Sequence, residues 1–394
     1  VDLFDKCRQF DMMLQFIRAQ GRFFYSRDLE PAASPVTVRA GRELVNLGSN
    51  NYLGLTDHPK VKAAAVAAVE KYGTGSAGSR LLTGTTPLHL EMESKLAEFK
   101  HAGSVVSFST GFMALSATVT TLASEGDYIF SDEFNHASII DGCRHSKAKT
   151  LVYKHSDLAD LEGKIKGVPA DAAKLIVTDG VFSMEGDICD LYGLRKLADA
   201  YNCRLMVDDA HATGVLGKTG RGTAEHFDLE GKIDIVSGTL SKSMAAVGGF
   251  TAAPREVTDF LRYNARMSIF SASLPPSVPA TVLAALDVLQ SEPERVARLH
   301  ANSKFIGDGL ARDGFRTGYR GTPILPILIG DDDKAYRMAG RLEQEGVFAN
   351  PVVFPAVPRG SAIIRISLMA THTEEQLGTA VEKFRLVGRE LGVI

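Results

Sequence analysis

The chain has 394 residues, 45% of them hydrophobic and 23% charged, with a formal net charge of -3. That length allows a large buried core and more than one domain, and the near-neutral balance without a basic block argues against non-specific nucleic-acid binding. Four scattered cysteines, Cys7, Cys143, Cys189 and Cys203, show neither metal-ligand spacing nor the density of a disulfide framework, which points to a reducing compartment and no metal site.

The N-terminal stretch "VDLFDKCRQFDMMLQFIRAQ" is interrupted by Asp11 and Arg18, so it lacks the apolar core of a signal peptide, and no later run approaches membrane-spanning length. The expectation is a cytoplasmic protein without an integral membrane segment, for which transient contact at the inner membrane stays compatible. Phe10, Met13, Leu14 and Ile17 recur at helical spacing, as on a helix that docks on the body or on a partner. Residues 1–50 are expected to hold this helix and a short hairpin, "SPVTVRAGRELVNLG".

From residue 51, short apolar runs alternate with helical patterns such as Asp190–Tyr201. Strands are expected at 104–108, 127–131, 150–154, 174–179, 203–209, 234–239 and 248–253. Continuously apolar strands separated by helices predict an α/β domain over 51–285, with a mostly parallel sheet covered on both faces. Pro275-Pro276 interrupts the pattern, and helix is expected from about Val278 to Asp313, broken near Glu292-Pro293. "PILPILIG", a helical "KAYRMAGRLEQEG", the strand-like "AIIRISL" and a last helix capped by Thr373 and Gln376 make 286–394 a smaller α+β domain.

Two islands carry the chemical signal, "VDDAHATGVLG" at 207–217 and "GTLSKSMAAVGG" at 238–249. Asp208 ends an apolar strand, His211 follows it, and Lys242 lies in a Ser/Gly-rich turn after another strand. Strand C-terminal ends in an open α/β sheet border the ligand crevice. A lysine there can form a Schiff base with a carbonyl cofactor, and an aspartate can pair with a protonated pyridine nitrogen. Taken singly, Lys242 is equally a solvated loop lysine, Asp208 a turn or cap residue and His211 a surface histidine.

The chain resembles the α-oxoamine synthase family of pyridoxal 5′-phosphate (PLP) enzymes over almost its whole length. Besides the two islands, the landmarks are "NNYLGL" at 50–55, "GTGSAGSRLLTGT" at 73–85, "STGFMAL" at 109–115, "NHASIIDG" at 135–142, "DGVFSMEGD" at 179–187, "FSASLPP" at 270–276 and "RISLMATHT" at 365–373. The resemblance implies a PLP-dependent transferase fold of the aspartate aminotransferase type (fold type I), with a mostly parallel seven-stranded sheet, and a homodimer with shared active sites. It assigns Lys242 to the cofactor carbonyl and to α-proton removal, Asp208 to the pyridine nitrogen, His136 to the ring face and His211 to the phenolic oxygen, with Ser183 in support. Gly111, Phe112 and Thr239 are implied phosphate ligands, with Ser271 reaching over from the partner subunit. Arg365 is assigned the amino acid carboxylate, although its apolar strand alone leaves a core salt bridge open. Asn51 is expected near the substrates, and Arg80 is an active-site loop residue without an assigned duty.

The implied reaction is decarboxylative condensation of an amino acid with an acyl-CoA, releasing CoA and CO2. Asp209 and Asp179 stand where many members have Glu. "GTLSKSMAAVGGF" and "IFSASLPPSV" look closer to bacterial serine palmitoyltransferases, which favours L-serine and palmitoyl-CoA as substrates and 3-ketodihydrosphingosine as product. A related synthase using glycine or L-alanine with another acyl-CoA is the alternative, followed by an aminotransferase or a non-catalytic subunit.

Overall fold

The computed structural model describes residues 2–394. Its strands are, in chain order, β1 (Val36–Arg39), β2 (Arg42–Asn46), β3 (Ser104–Phe108), β4 (Tyr128–Asp132), β5 (Lys149–Tyr153), β6 (Lys174–Asp179) and β7 (Arg204–Asp208). They continue with β8 (Ile235–Thr239), β9 (Gly249–Ala253), β10 (Ile324–Gly330), β11 (Val347–Phe348), β12 (Asn350–Val352) and β13 (Ala362–Ser367).

The central sheet has seven strands in the order β3-β9-β8-β7-β6-β4-β5. The β8-β7-β6-β4-β5 pairs are parallel, whereas β9 runs antiparallel to both β8 and β3. Each of these strands lies within one residue, at either end, of the run expected from the sequence. All six residues of β6 and all five of β8 are buried, which is why these strands read as continuous apolar runs. After β4 the chain forms the edge strand β5 and then returns to β6 on the other side of β4. The carboxyl ends of β4, β6, β7 and β8 therefore meet along one rim, at a reversal of strand order where α/β sheets place ligands.

Two three-stranded sheets complete the fold, β10-β13-β12 and β1-β2-β11. β2 pairs antiparallel with β1 and parallel with β11, aligning Val45 with Val347. The N-terminal hairpin is thus completed by a strand whose residues pair across 302 positions, Val45 with Val347, and Leu47 and Tyr52 share a core with Ile324, Ile364, Ile366 and Phe384. Helices Ser277–Ser291 and Glu294–Arg312 are separated near Glu292-Pro293. Thr373 and Gln376 form the reciprocal capping box of the last helix, Glu374–Glu390.

Helix Asp5–Ala19 buries none of its residues, leaving Phe10 and Met13 55% and 48% exposed, so it does not dock on the body of its own chain. All four cysteines are free; Cys7 is exposed and the other three are buried. Among the described residues, no helix is long and apolar enough to cross a membrane.

Candidate active site

A cavity of about 300 Å³ opens at the rim of the central sheet, and Gly111, Phe112, His136, Asp208, His211, Thr239 and Lys242 all line it. Asp208 is the last residue of β7 and Thr239 the last of β8, three positions before Lys242. Helix Gly111–Leu122 points its N-terminus into the same space. Thr110 caps it by accepting from the Met113 N–H at 3.0 Å, whereas the N–H groups of Gly111 and Phe112 have no protein acceptor among the described residues. Free amides at a helix N-terminus form an anion site. The approach is tight: a Cβ at Gly111 would lie 2.7 Å from Thr239 Cβ, and one at Gly249 would lie 2.6 Å from Gly111 Cα.

The charges are arranged around Lys242. Burial drives its amine down to about 8, against the opposing pull of Asp208 and Asp179. Asp208 is pushed up to about 6, chiefly by burial, with Lys242 and the Ala210 N–H (2.8 Å) holding it from going further. Asp179, in register with Asp208 on β6, is raised well above the carboxylate range by burial and by the Asp208 charge. It accepts the His136 N–H at 3.2 Å, so the residue that departs from the family's Glu supports the turn that carries His136. His136 Nδ1 accepts the Ser138 N–H, which leaves the proton of the neutral ring on Nε2. Burial, reinforced by the Lys242 charge, lowers its basicity.

His211 is likewise held neutral, by burial and then by Lys242, Arg365 and His136. Its Nδ1 lies 2.7 Å from the Tyr52 hydroxyl, which donates to Asn50 Oδ1 at 3.3 Å. The same Asn50 oxygen accepts from Ser367 (3.1 Å) and faces Arg365 Nη2 at 3.4 Å. A polar chain therefore runs from the His211 side of the cavity to Arg365 on β13. Beyond their place in "NNYLGL", nothing in the sequence marks Tyr52 and Asn50.

Arg365 is buried, and its contacts are the Ser183 carbonyl (2.7 Å), Ser367 (2.9 Å) and Asn50. No carboxylate lies within salt-bridge distance among the described residues, so the core salt bridge left open by the sequence does not form. Asn51 sits elsewhere: its side chain bonds the Ala33 carbonyl, Thr56 and the Leu55 N–H, and so braces its own loop. Ser271 lies outside the cavity, in a groove with Arg80 and Ser107. Arg80 is committed to a buried ion pair with Glu93, whose other oxygen binds Arg262.

These residues fit PLP. A buried amine free of any ion pair faces a carboxylate that can hold a pyridinium, and unpartnered amides await a phosphate. Fold and site together define a PLP-dependent transferase of fold type I. Residues 42–384 match the model of the aminotransferase class I and II family. The chain belongs to that family, and its relatives are α-oxoamine synthases, acyl-transferring enzymes that use PLP. It is 46% identical over 382 residues to an 8-amino-7-oxononanoate synthase of Symbiobacterium thermophilum, covering 97% of each chain. It is 45% identical over 371 residues to a serine palmitoyltransferase of Sphingobacterium spiritivorum, covering 94% of this chain and 93% of that one. A solved serine palmitoyltransferase from S. paucimobilis with PLP–myriocin bound superposes over 100% of both chains with a TM-score of 0.96 and 36% identity.

Proposed function

We propose that this α-oxoamine synthase joins L-serine to palmitoyl-CoA, releasing CoA and CO2 and forming 3-ketodihydrosphingosine. The observation that carries the amino acid half is Arg365, a buried guanidinium with no carboxylate of its own beside the cavity. A cation there invites a substrate anion. Serine and a long acyl chain are supported by the full-length likeness to serine palmitoyltransferases.

When bound, PLP supplies the electron sink that makes the α-hydrogen of the amino acid acidic. Lys242 would hold the cofactor carbonyl and, once freed, its amine would serve as the base for the α-proton. Asp208 would pair with the pyridine nitrogen. His136, with its proton on Nε2, would lie against the ring and orient the reacting groups. His211, in a position fixed by Tyr52, would bind the phenolic oxygen. Gly111, Phe112 and Thr239 would receive the phosphate, and Arg365 the amino acid carboxylate. In a homodimer, Ser271, which lies outside its own chain's cavity, would serve the second subunit.

A second reading, glycine or L-alanine with another acyl-CoA, is favoured by the 46% identity to 8-amino-7-oxononanoate synthase. Thiol release by PLP-loaded enzyme with palmitoyl-CoA and L-serine, L-alanine, glycine or no amino acid separates the two. Serine-dependent release together with the ketone product supports the first reading. Release with alanine or glycine keeps the palmitoyl donor and replaces serine, whereas no release with palmitoyl-CoA rules out the palmitoyl donor and leaves the second reading, to be run with shorter or functionalised acyl-CoAs.

A further inference from the structure

Next to the cavity, outside the residues assigned to it, His155 sits between two carboxylates. Its Nδ1 lies 2.9 Å from Asp132 Oδ1 and its Nε2 2.9 Å from Asp187 Oδ2. Its ring is stacked on Phe134, with centroids 4.4 Å apart, and meets the Phe182 ring edge-on at 4.4 Å. Ionised carboxylates only accept, so satisfying both requires both ring nitrogens to donate, which is the imidazolium form.

The two carboxylates belong to the loops that present site residues. Asp132 ends β4, is buried, accepts the Phe134 N–H at 2.9 Å and the Ser156 N–H at 2.9 Å, and its carbonyl accepts the Asn135 N–H at 3.2 Å. It therefore shapes the turn that leads into His136. The Asp187 carbonyl accepts the Phe182 N–H at 3.0 Å and closes the loop after β6, from which the Ser183 carbonyl binds Arg365. The charged groups around His155 are Asp132, Asp187, Glu133, whose carboxylate accepts the His155 N–H at 2.8 Å, and Glu185. Across an adjoining cavity of about 880 Å³ lie Arg316 and Arg320.

We propose that His155 is a positioning residue for acyl transfer: as a cation bridging Asp132 and Asp187, it holds the His136 turn and the Ser183 carbonyl in mutual register, and through Ser183 it orients Arg365. The role rests on the reading that His136 and Arg365 face the substrates. The paired carboxylates outweigh burial and raise the imidazole to about 10 from an ordinary 6.5. A raised folded-state value means that the bridge stabilises the fold fully below pH 6.5 and is lost as pH rises towards about 10.

Two variants of the PLP-loaded enzyme test this. Gln in His155→Gln cannot span both carboxylates, and Asp187→Asn keeps the ring and an acceptor oxygen while removing one charge. The amino acid used is L-serine, or L-alanine if that drives CoA release, and its Kd is read from the cofactor absorbance. His155→Gln is expected to retain PLP, to weaken amino acid binding on the order of 10-fold, and to flatten the decline of thermal midpoint between pH 6.5 and 10. Asp187→Asn, which removes one of the two charges that raise the imidazole, is expected to move the loss of the cation from about 10 towards 6.5 and so to add a basic limb to both amino acid binding and turnover. Variants that match the wild type in Kd, turnover and pH profile, or that lose only thermal stability, overturn the proposal. Arg365→Lys and His136→Ala serve as controls. If they lose binding or turnover while the His155 and Asp187 variants do not, the positioning role alone falls; if they too are unaffected, the underlying reading of the site falls and takes this role with it.

Discussion

Lys242 and Asp208 share a buried rim, and on the roles proposed for them their displaced titrations should set when the cofactor is taken up. An amine must be neutral to attack a carbonyl, and Lys242 reaches that state above about 8, well below an ordinary lysine at 10.5. Asp208 carries its charge above about 6. The rate at which PLP-free protein loads PLP should therefore climb between pH 6 and 8 and level off beyond, as followed by cofactor absorbance. A rate still rising tenfold per pH unit at pH 9 would place Lys242 near an ordinary lysine. Arg365→Lys should raise KM for the amino acid roughly 30-fold, about 2 kcal/mol, because an ammonium cannot reproduce the guanidinium's paired bonds to a carboxylate. PLP affinity should be unchanged, since Arg365 does not line the cofactor cavity. At this scale the sequence marks the segments that the structure gathers at the rim, but spacing alone does not say which side chain of a segment faces the cavity. "NNYLGL" drew attention to Asn51, yet Asn50 faces Arg365. Adjacent asparagines are separated only by backbone direction, and the Arg80–Glu93–Arg262 cluster joins residues whose spacing carries no pattern.

Among the elements, the antiparallel strand β9 packs its first residue directly against backbone at the site. Gly249 opens it and presses against the backbone of Thr110 and Gly111, where an added Cβ would sit 2.6 Å from Thr110 O. Gly249→Ala must displace the first turn of helix Gly111–Leu122 or the strand itself. Overpacking of this kind costs on the order of 1–3 kcal/mol. The variant should show a lowered thermal midpoint and PLP affinity weakened roughly tenfold by the same conversion, both measurable on purified protein. A wild-type PLP affinity would show that the helix N-terminus does not set it. The seven central strands were legible because burial on both faces forces unbroken apolar runs bounded by polar turns. Their order was not legible, because nothing along the chain records that β9 inserts between β3 and β8. The two-residue β11 and three-residue β12 are too short to show any period.

For the whole molecule, the N-terminal segment divides into a part that buries nothing and a part that is core. Removing residues 2–21 takes away the helix Asp5–Ala19, none of whose residues is buried within the chain, and should leave the thermal midpoint of the folded chain nearly unchanged. Removing residues 2–47 also deletes β1, β2, Leu44 and Leu47, and strips β11 of its partner. Losing two fully buried leucines alone costs several kcal/mol, at about 2–5 kcal/mol each, a large part of typical domain stability. That shorter chain should fail to fold, as read by circular dichroism and calorimetry.

The placement of the cysteines has a practical corollary for measuring turnover. Burial raises the thiols of Cys143, Cys189 and Cys203, and a thiol held protonated and covered reacts slowly with disulfide reagents. Cys7, on the exposed helix, stands apart. A colorimetric dithiobisnitrobenzoate assay for liberated coenzyme A should thus carry a constant, rapidly exhausted background of one equivalent per chain, and a Cys7→Ser enzyme should start from a nearly blank baseline.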